Sequence, residues 1–367
     1  MSALRVRLLP AAEIDRAGEA WAELERSPHD GGVICGWDWT AAWLRAYGDV
    51  VAHRFAVAER GDAVVGAALL TSSRASGAKG FGIRRLHIGT AGEPEGEGVF
   101  AEYNGVLTAA GERQAFVEAL MTTIEREREW DELRVDGFSA EQAQALAAAA
   151  PALELGFAAS PYTDLEAIRA AGGDVLAALQ KGPRGRIRRG MRGFGKLDGE
   201  WAATAARAGE IFDELVSLHQ AQWQAAGEPG AFASARVLGF HRQLIAALVP
   251  TGRAMLFRVR SGDRTVGCLY GLVDGRRLLF YQSGVAAFED GKLKPGLVTH
   301  AVCMQACLER GLDAYDFLAG DSRYKRELAT DEERIAWGRL RRRRVRPLLA
   351  AAARGLARRP EPLTPFG

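Results

Sequence analysis

One stretch, Arg253 to Lys325, constrains this chain more than any other. Ala254–Arg260 and Thr265–Val273 flank a Ser-Gly-Asp turn and predict paired strands. A third strand, Arg277–Ser283, follows the turn residues Asp274 and Gly275. After Gly284 comes the polar loop Phe288-Glu-Asp-Gly-Lys-Leu-Lys-Pro-Gly296. Leu297, Ala301, Met304 and Leu308 then repeat at helical spacing, so a helix begins near Gly296 and stops at Gly311. Ala314–Leu318 reads as a short buried strand. The first turn of a helix has N–H groups without intrahelical acceptors and carries the positive end of the dipole. Preceded by Lys292 and Lys294, it is a seat for an anion. A pyrophosphate is the expected anion, and the whole unit reads as a cradle for an acyl-CoA.

Length matters next, because 367 residues leave room for two domains of ordinary size. A hydrophobic fraction of 48% with 26% charged residues excludes a disordered chain. No apolar run reaches membrane-spanning length, and Met1–Arg7 lacks the apolar core of a secretion signal. Cys35, Cys268, Cys303 and Cys307 are therefore expected as reduced thiols in a cytoplasmic protein. The net charge of +2 is unevenly spread: nine arginines fall in the last 29 residues, against the single acid Glu361. This tail, 339–367, joins arginines to the apolar Pro347–Ala353. It is expected either to lie on an anionic membrane surface, peripheral to the inner membrane, or to form a solvated helix. Nucleic acid is not an expected partner, since no finger, helix-turn-helix or RNA-recognition signature accompanies the charge.

Taken in order, Ala11–Glu25 and Trp37–Tyr47 predict helices, and His53–Glu59 and Ala63–Thr71 predict a strand pair around Gly61-Asp62. Ser72–Gly80 is small and polar, hence an expected loop. Arg84–Gly89 and Val99–Thr108 are strand candidates, Ala115–Glu129 a helix, Glu132–Asp136 a strand and Ala140–Ala150 an Ala-rich helix. Gly61-Asp-Ala-Val-Val-Gly66 then finds a partner in Gly262-Asp-Arg-Thr-Val-Gly267, and strands and helices follow in the same order after each. The expected architecture is α/β (α+β), two tandem domains of one design. Each is a mixed, mainly antiparallel sheet flanked by helices. The expected bounds are 1–165, 166–338 and the 339–367 tail.

Between the halves lies a basic run, Leu179–Arg192, broken by Gly182, Pro183, Gly185 and Gly190. It is either a solvated loop and helix face or a cationic lip for a phosphate-bearing substrate. From here to Ala329 the chain resembles GNAT double-domain acyltransferases of the cellulose-biosynthesis-associated type. These are relatives of Fem-type aminoacyltransferases and bacterial ceramide synthases. The resemblance rests on Lys181-x-x-Arg184 with Arg188-Arg189, on Leu218-His-Gln-Ala-Gln-Trp223 and on Gly227-Glu-Pro-Gly-Ala-Phe232. Phe280-Tyr-Gln-Ser-Gly284, Tyr315-Asp-Phe-Leu-x-Gly320 and Tyr324-Lys-Arg326 extend it, with Glu102-Tyr-Asn104 in the first half. The phosphate loop departs from the family pattern, reading Lys292-x-Lys294-Pro-Gly296.

The resemblance implies amide formation from a thioester of CoA or acyl carrier protein and a primary amine. That reaction needs a base for the amine, donors for the oxyanion and an acid for the leaving thiolate. The implied catalytic set is Glu102 as base, Tyr324 as acid and Lys325 holding a phosphate, with Tyr281 and Asp316 at the strand ends. Ser283, Lys292, Lys294, Pro295 and Gly296 are expected at the donor. Tyr103, Asn104, Arg184, His219 and Trp223 are expected at the acceptor, although His219 and Trp223, one helical turn apart, also fit a core role. The tail tilts the acceptor toward a long-chain lipid amine such as a sphingoid base. Transfer of an acyl or aminoacyl group to an envelope polysaccharide or peptidoglycan precursor is the alternative, as is a non-catalytic scaffold. His300, Cys303 and Cys307 share a helix face, but three ligands from one short helix do not close a zinc site, so no metal is expected.

Overall fold

The computed structural model describes residues 4–75 and 82–342 and divides into two compact units. The first comprises residues up to Ala158 together with those from Arg334 onward, and the second runs from Ala159 to Glu333. The first contains β1 (Leu4–Pro10), α1 (Ile14–Glu25), β2 (His29–Asp30), α2 (Trp37–Tyr47), β3 (Ala52–Arg60) and β4 (Ala63–Ala75). It continues with β5 (Ile83–Ile88), β6 (Leu107–Ala109), α3 (Arg113–Arg126), β7 (Glu132–Ser139) and α4 (Ala140–Ala149). The chain crosses into the second unit within β8 (Glu154–Asp164).

There follow α5 (Leu165–Ala170), α6 (Val175–Ala178), α7 (Lys181–Phe194), β9 (Asp198–Trp201), α8 (Ala205–Ala225) and α9 (Ala235–Leu248). Then come β10 (Ala254–Ser261), β11 (Arg264–Asp274), β12 (Arg277–Val285), α10 (Pro295–Glu309), β13 (Ala314–Asp316) and α11 (Arg323–Leu328). The return to the first unit falls within β14 (Asp331–Arg341).

The two units share one strand plan. In the first, the order is β1-β3-β4-β5-β7-β14; in the second it is β9-β10-β11-β12-β13-β8. Every neighbouring pair is antiparallel except β5 with β7 and β12 with β13, which hold the same place in the two orders. Even the irregularities repeat. Each Gly-Asp hairpin has its glycine in the left-handed region, φ 64° at Gly61 and 56° at Gly262. Each carries a register shift just before the turn, at Ala58/Glu59 and at Val259/Arg260. Two tandem α/β units of one architecture are the fold.

Helix α3 lays Phe116, Leu120 and Ile124 on the first sheet, in a core with Leu70, Leu133 and Val135. Helix α10 does the same in the second unit, burying Val298, Met304 and Cys307 with Met255, Leu269 and Leu278. These are ordinary apolar stripes, and their burial is the main stabilising term. Helix α8 packs against β10–β12 and against α9, whose His241 meets Tyr270 of β11 and Tyr281 of β12. There the backbones come close: a β-carbon on Gly284 of β12 would lie 2.9 Å from Leu215 Cα and nearer still to its carbonyl oxygen. Gly284→Ala should therefore destabilise the second unit by about 3 kcal/mol, read as a lowered urea midpoint. An unchanged midpoint would mean that α8 can move away at little cost.

Several expectations change in the structure. Strand β4 runs on to Ala75, so Ser72–Ala75 is strand rather than loop. Of Val99–Thr108 only Leu107 and Thr108 lie in a strand, β6; the preceding segment is irregular apart from a single bridge between Asn104 and Phe138. Strands β8 and β14 were not foreseen. The start of the arginine tail is part of β14. Arg339 Nη2 donates to Glu154 Oε2 at 2.7 Å, Arg341 Nε to Glu132 Oε2 at 2.8 Å, and the Arg342 amide to the Asp131 carbonyl at 3.0 Å. These arginines bind protein carboxylates and backbone inside the first unit. The rest of the tail lies outside the described residues.

Candidate functional site

Strand pairing in the second unit leaves one strand with a neighbour over only part of its length. Strand β12 pairs with β13 only over Arg277↔Ala314, Leu278↔Tyr315 and Leu279↔Asp316. Its remaining half, Phe280 to Val285, keeps its antiparallel partner β11 but has no β13 beside it. A register shift opposite Tyr270/Gly271 makes Tyr281 the extra residue of a bulge at the point where the strands part. A bulge turns a strand and re-aims its side chains. The sheet is thus split on the side where a chain-like ligand could lie along β12.

The end of β12 leads by a short loop to the start of α10. Pro295 opens that helix, no side chain caps it and no acidic residue stands in its first turn. Its N-cap residue, Lys294, is in the left-handed region at φ 50°. A β-carbon at Gly296 would meet nothing closer than Val285 Cγ2 at 3.8 Å, so the space over the first turn is clear. Uncapped amides of Gly296 and Leu297, the dipole and the exposed Lys292 and Lys294 together favour a bound anion.

Helix α7 supports this loop. The basic run, despite its glycines and proline, is a continuous helix. Gly190 is buried where any side chain would strike Val298 and the Leu293 carbonyl. Phe194 meets Phe288 edge to face at 5.0 Å, and the Arg264 guanidinium lies over the Phe288 ring at 3.9 Å. Arg188, Arg189 and Arg192 remain exposed on α7. Arg184 Nη1 donates to the Ala177 carbonyl at 3.1 Å and so ties α7 to α6.

Beyond the split lies an aromatic cluster from α10, β12, β13 and α11. The His300 ring stacks on Tyr324 (5.4 Å between centroids, 20° between planes) and meets Phe280 edge-on at 4.6 Å. His300 Nδ1 and the Tyr315 hydroxyl are 2.9 Å apart. Burial, helped by the Lys325 charge, pushes His300 down to about 3, so the ring is neutral. Burial likewise pushes the Tyr324 phenol up to about 12. Tyr324 therefore keeps its proton throughout the neutral range.

The turn after β13 is held by charges. Asp316 is fully buried; one oxygen accepts from Ser160 Oγ (3.0 Å) and the Leu318 amide (2.7 Å), the other from Arg277 Nη1 (2.7 Å). Lys325 Nζ donates to the carbonyls of Leu318 (3.0 Å) and Ala319 (2.6 Å). Leu318 sits at φ 60°, a strained setting for a branched residue. Asp316 and Lys325 thus fix the turn that leads to Tyr324. Asp316→Asn should cost about 2 kcal/mol: Arg277 keeps its pair with Glu333, but the buried charge that also holds the Ser160 hydroxyl and the Leu318 amide is lost. Equilibrium unfolding checks this, and a cost below about 1 kcal/mol would deny the carboxylate that part.

On the other face, His219 Nδ1 donates to the Ser283 carbonyl at 2.9 Å and its Nε2 accepts from the Ala231 amide at 3.3 Å. Those two bonds choose the tautomer and fasten α8 to β12. Trp223, one turn on, is 42% exposed beside it. Tyr281 packs against His241 at 4.8 Å and Tyr270 at 5.4 Å. His241 is buried and neutral, pushed down to about 3 by desolvation.

Three expected site residues belong to the first unit. Glu102 is 9% exposed, and Tyr103 has φ 63°. Asn104 accepts from the Thr90 and Gly105 amides (3.3 and 3.1 Å) and donates to the Thr90 carbonyl at 3.2 Å, which closes a buried loop. The sequence reading missed Arg277 and the stacking of His300 on Tyr324. Its only available signal was an arginine opening a strand whose neighbour carries Asp316. Among the described residues no group of three or more His, Cys, Asp or Glu could hold a metal ion. No helix there is long and apolar enough to cross a membrane.

Comparison with known proteins agrees with this geometry. Residues 181–326 match the acetyltransferase (GNAT) domain model. No curated protein matches the chain. Among solved structures the chain is similar to that of FemX, with TM-score 0.57 and 12% identity over 87% of this chain and 95% of that one. It is also similar to the C-terminal domain of a proposed lysylphosphatidylglycerol synthetase from Agrobacterium fabrum (TM-score 0.54, 13% identity, 93% and 97% covered). L-PGS from Bacillus licheniformis gives a TM-score of 0.53 at 11% identity, with 93% and 97% covered. The second unit therefore carries an acyltransferase domain of the GNAT type.

Proposed function

We propose that the chain is an N-acyltransferase that moves an acyl group from a CoA or carrier-protein thioester to a primary amine on a long-chain lipid. The observation that supports the donor is the parting of β12 from β13 directly ahead of the uncapped start of α10. In this reading the donor's phosphates sit at Gly296 and Leu297, flanked by Lys292 and Lys294, and its pantetheine arm runs along Tyr281–Ser283. The amine nitrogen attacks the thioester carbon, the C–S bond breaks, and Tyr324 stabilises the leaving thiolate by hydrogen bonding. Glu102 is kept as the proposed base, and Glu102→Gln should cost turnover but not donor binding.

The acceptor half of the proposal draws on apolar surface: Trp223 is exposed at the end of α8, beside His219, whose ring meets the buried Phe232. A second reading, aminoacyl transfer from a polyanionic donor, is favoured by the exposed Arg188, Arg189 and Arg192 of α7. The likeness to FemX and to the lysylphosphatidylglycerol synthetase domain is one of fold.

Mass spectrometry of products separates the readings. The purified chain is offered short- and long-chain acyl-CoA, acyl carrier protein and aminoacyl-tRNA, each with a sphingoid base, an amino sugar and a peptidoglycan precursor. An N-acylated sphingoid base from long-chain acyl-CoA is the expected product. Product from aminoacyl-tRNA alone would establish the second reading, and no product from any pair would overturn both.

A further inference from the structure

The first unit contains a constellation that the acyl-transfer reading does not use. Ser73 on β4, His87 on β5 and Asp136 on β7 stand on three neighbouring strands. In the β4–β5 ladder His87 faces Thr71, so Ser73 is its diagonal neighbour; in the parallel β5–β7 ladder His87 faces Arg134, two residues before Asp136. Side chains two apart share a face, so the three project together. Ser73 Oγ lies 2.8 Å from His87 Nε2, and His87 Nδ1 lies 2.7 Å from Asp136 Oδ2.

The chemistry of each group fits its place in that row. Burial works against the Asp136 charge, but His87, Arg134 and Arg85 outweigh it and hold the carboxyl below its usual range. An ionised Asp136 can only accept, so His87 Nδ1 carries a proton. In the neutral tautomer that this fixes, Nε2 is the acceptor and the Ser73 hydroxyl the donor. His87 is buried, at 6% exposure, while Ser73 is only half-buried. A half-buried hydroxyl has water available, so burial does not force this bond upon it.

The loop above leaves room as well. Gly92, at φ 89°, passes so near that a β-carbon there would lie 3.3 Å from Ser73 Cβ and 3.6 Å from His87 Nε2. A residue without a side chain keeps the ground beside the nucleophile open. The chain order Ser, His, Asp and the absence of a Gly-x-Ser-x-Gly elbow hide the set from motif reading. Such triads are recognised by geometry and roles.

We propose that Ser73, His87 and Asp136 form a nucleophilic site at which Ser73 accepts an acyl group from an activated ester or thioester. Ser73 Oγ bonds to the carbonyl carbon as its proton passes to His87 Nε2. The bond from carbon to the leaving oxygen or sulfur breaks, and the leaving group takes that proton. Water then attacks the acyl-serine with His87 as base. The carbon–Oγ bond breaks, the hydroxyl is restored and a carboxylic acid departs.

The test is covalent labelling of the full chain with a fluorophosphonate, followed by peptide mass mapping and the rate of p-nitrophenyl ester hydrolysis. The adduct is expected on Ser73, absent in Ser73→Ala, and formed on the order of 100-fold more slowly in His87→Gln. Asp136→Asn, which preserves shape, should slow labelling in the same direction, and far-ultraviolet circular dichroism confirms that each variant is folded. No adduct on Ser73, or equal rates in wild type and folded Asp136→Asn, would overturn the proposal and leave a structural hydrogen-bond chain only.

Discussion

Tyr324→Phe is expected to lower turnover with a thioester donor on the order of 100-fold while leaving donor affinity unchanged. The hydroxyl is the only atom removed, and the ring keeps its stack on His300 and its edge contact with Phe317. A phenol pushed up to about 12 does not ionise at working pH. It acts as a donor that gains strength as the sulfur becomes negative, so its contribution appears in the transition state more than in binding. The alkaline limb of the pH profile should consequently stay in place in the variant. A loss of less than about threefold would remove Tyr324 from the chemistry.

Acid should destabilise the second unit well before its carboxylates titrate. His241 and His300 are both pushed down to about 3 by burial, against about 6.5 in the unfolded chain. Between those values the unfolded state binds a proton that the folded state refuses, so stability falls as pH drops below about 6.5. At pH 5 each histidine accounts for a loss of about 2 kcal/mol, and the pair for about 4 kcal/mol. His219 adds in the same direction, its burial outweighing its bond to Ser283. In the first unit Glu93 works the other way, since burial raises its carboxyl and acid favours its folded, protonated form. The histidine effect is therefore read by difference: His300→Gln should show about 2 kcal/mol less fall between pH 7.5 and 5 than wild type in urea titrations. Equal slopes in the two proteins would show that His300 takes up its proton in the folded state.

The parts of this fold that were legible in the sequence are the local ones. Hairpin turns at Gly61-Asp62 and Gly262-Asp263, the apolar stripe of α10 and the repeated order of elements each depend on neighbours within a few residues. What stayed hidden is non-local. The sixth strand of each unit is displaced along the chain: β8 precedes the second unit's own hairpins, and β14 comes after every other element of the second unit yet pairs with β7 of the first. Arginines 339, 341 and 342 read as a cationic tail because their partners, Glu154, Glu132 and Asp131, lie about 200 residues earlier.

The candidate site shows the same division. Lys294-Pro-Gly296 before an apolar stripe predicts an open helix start, and the structure has one. Lys325 and Asp316 could be picked out as charged residues near strand ends. Their hydrogen bonds to Leu318, Ala319, Ser160 and Arg277 are products of packing. The Ser73–His87–Asp136 row depends on the register of three strands, and its serine fell in a segment read as loop.

Acyl transfer of this kind requires a thioester donor lying along the part of β12 that runs on beyond β13, with its phosphates at the start of α10. Amide hydrogen exchange with and without CoA tests that most directly. Protection is predicted at Tyr281–Ser283 and at Gly296–Val298, with the rest of the second unit little changed. Unaltered exchange at both segments under saturating CoA, or protection confined to other elements, would contradict it.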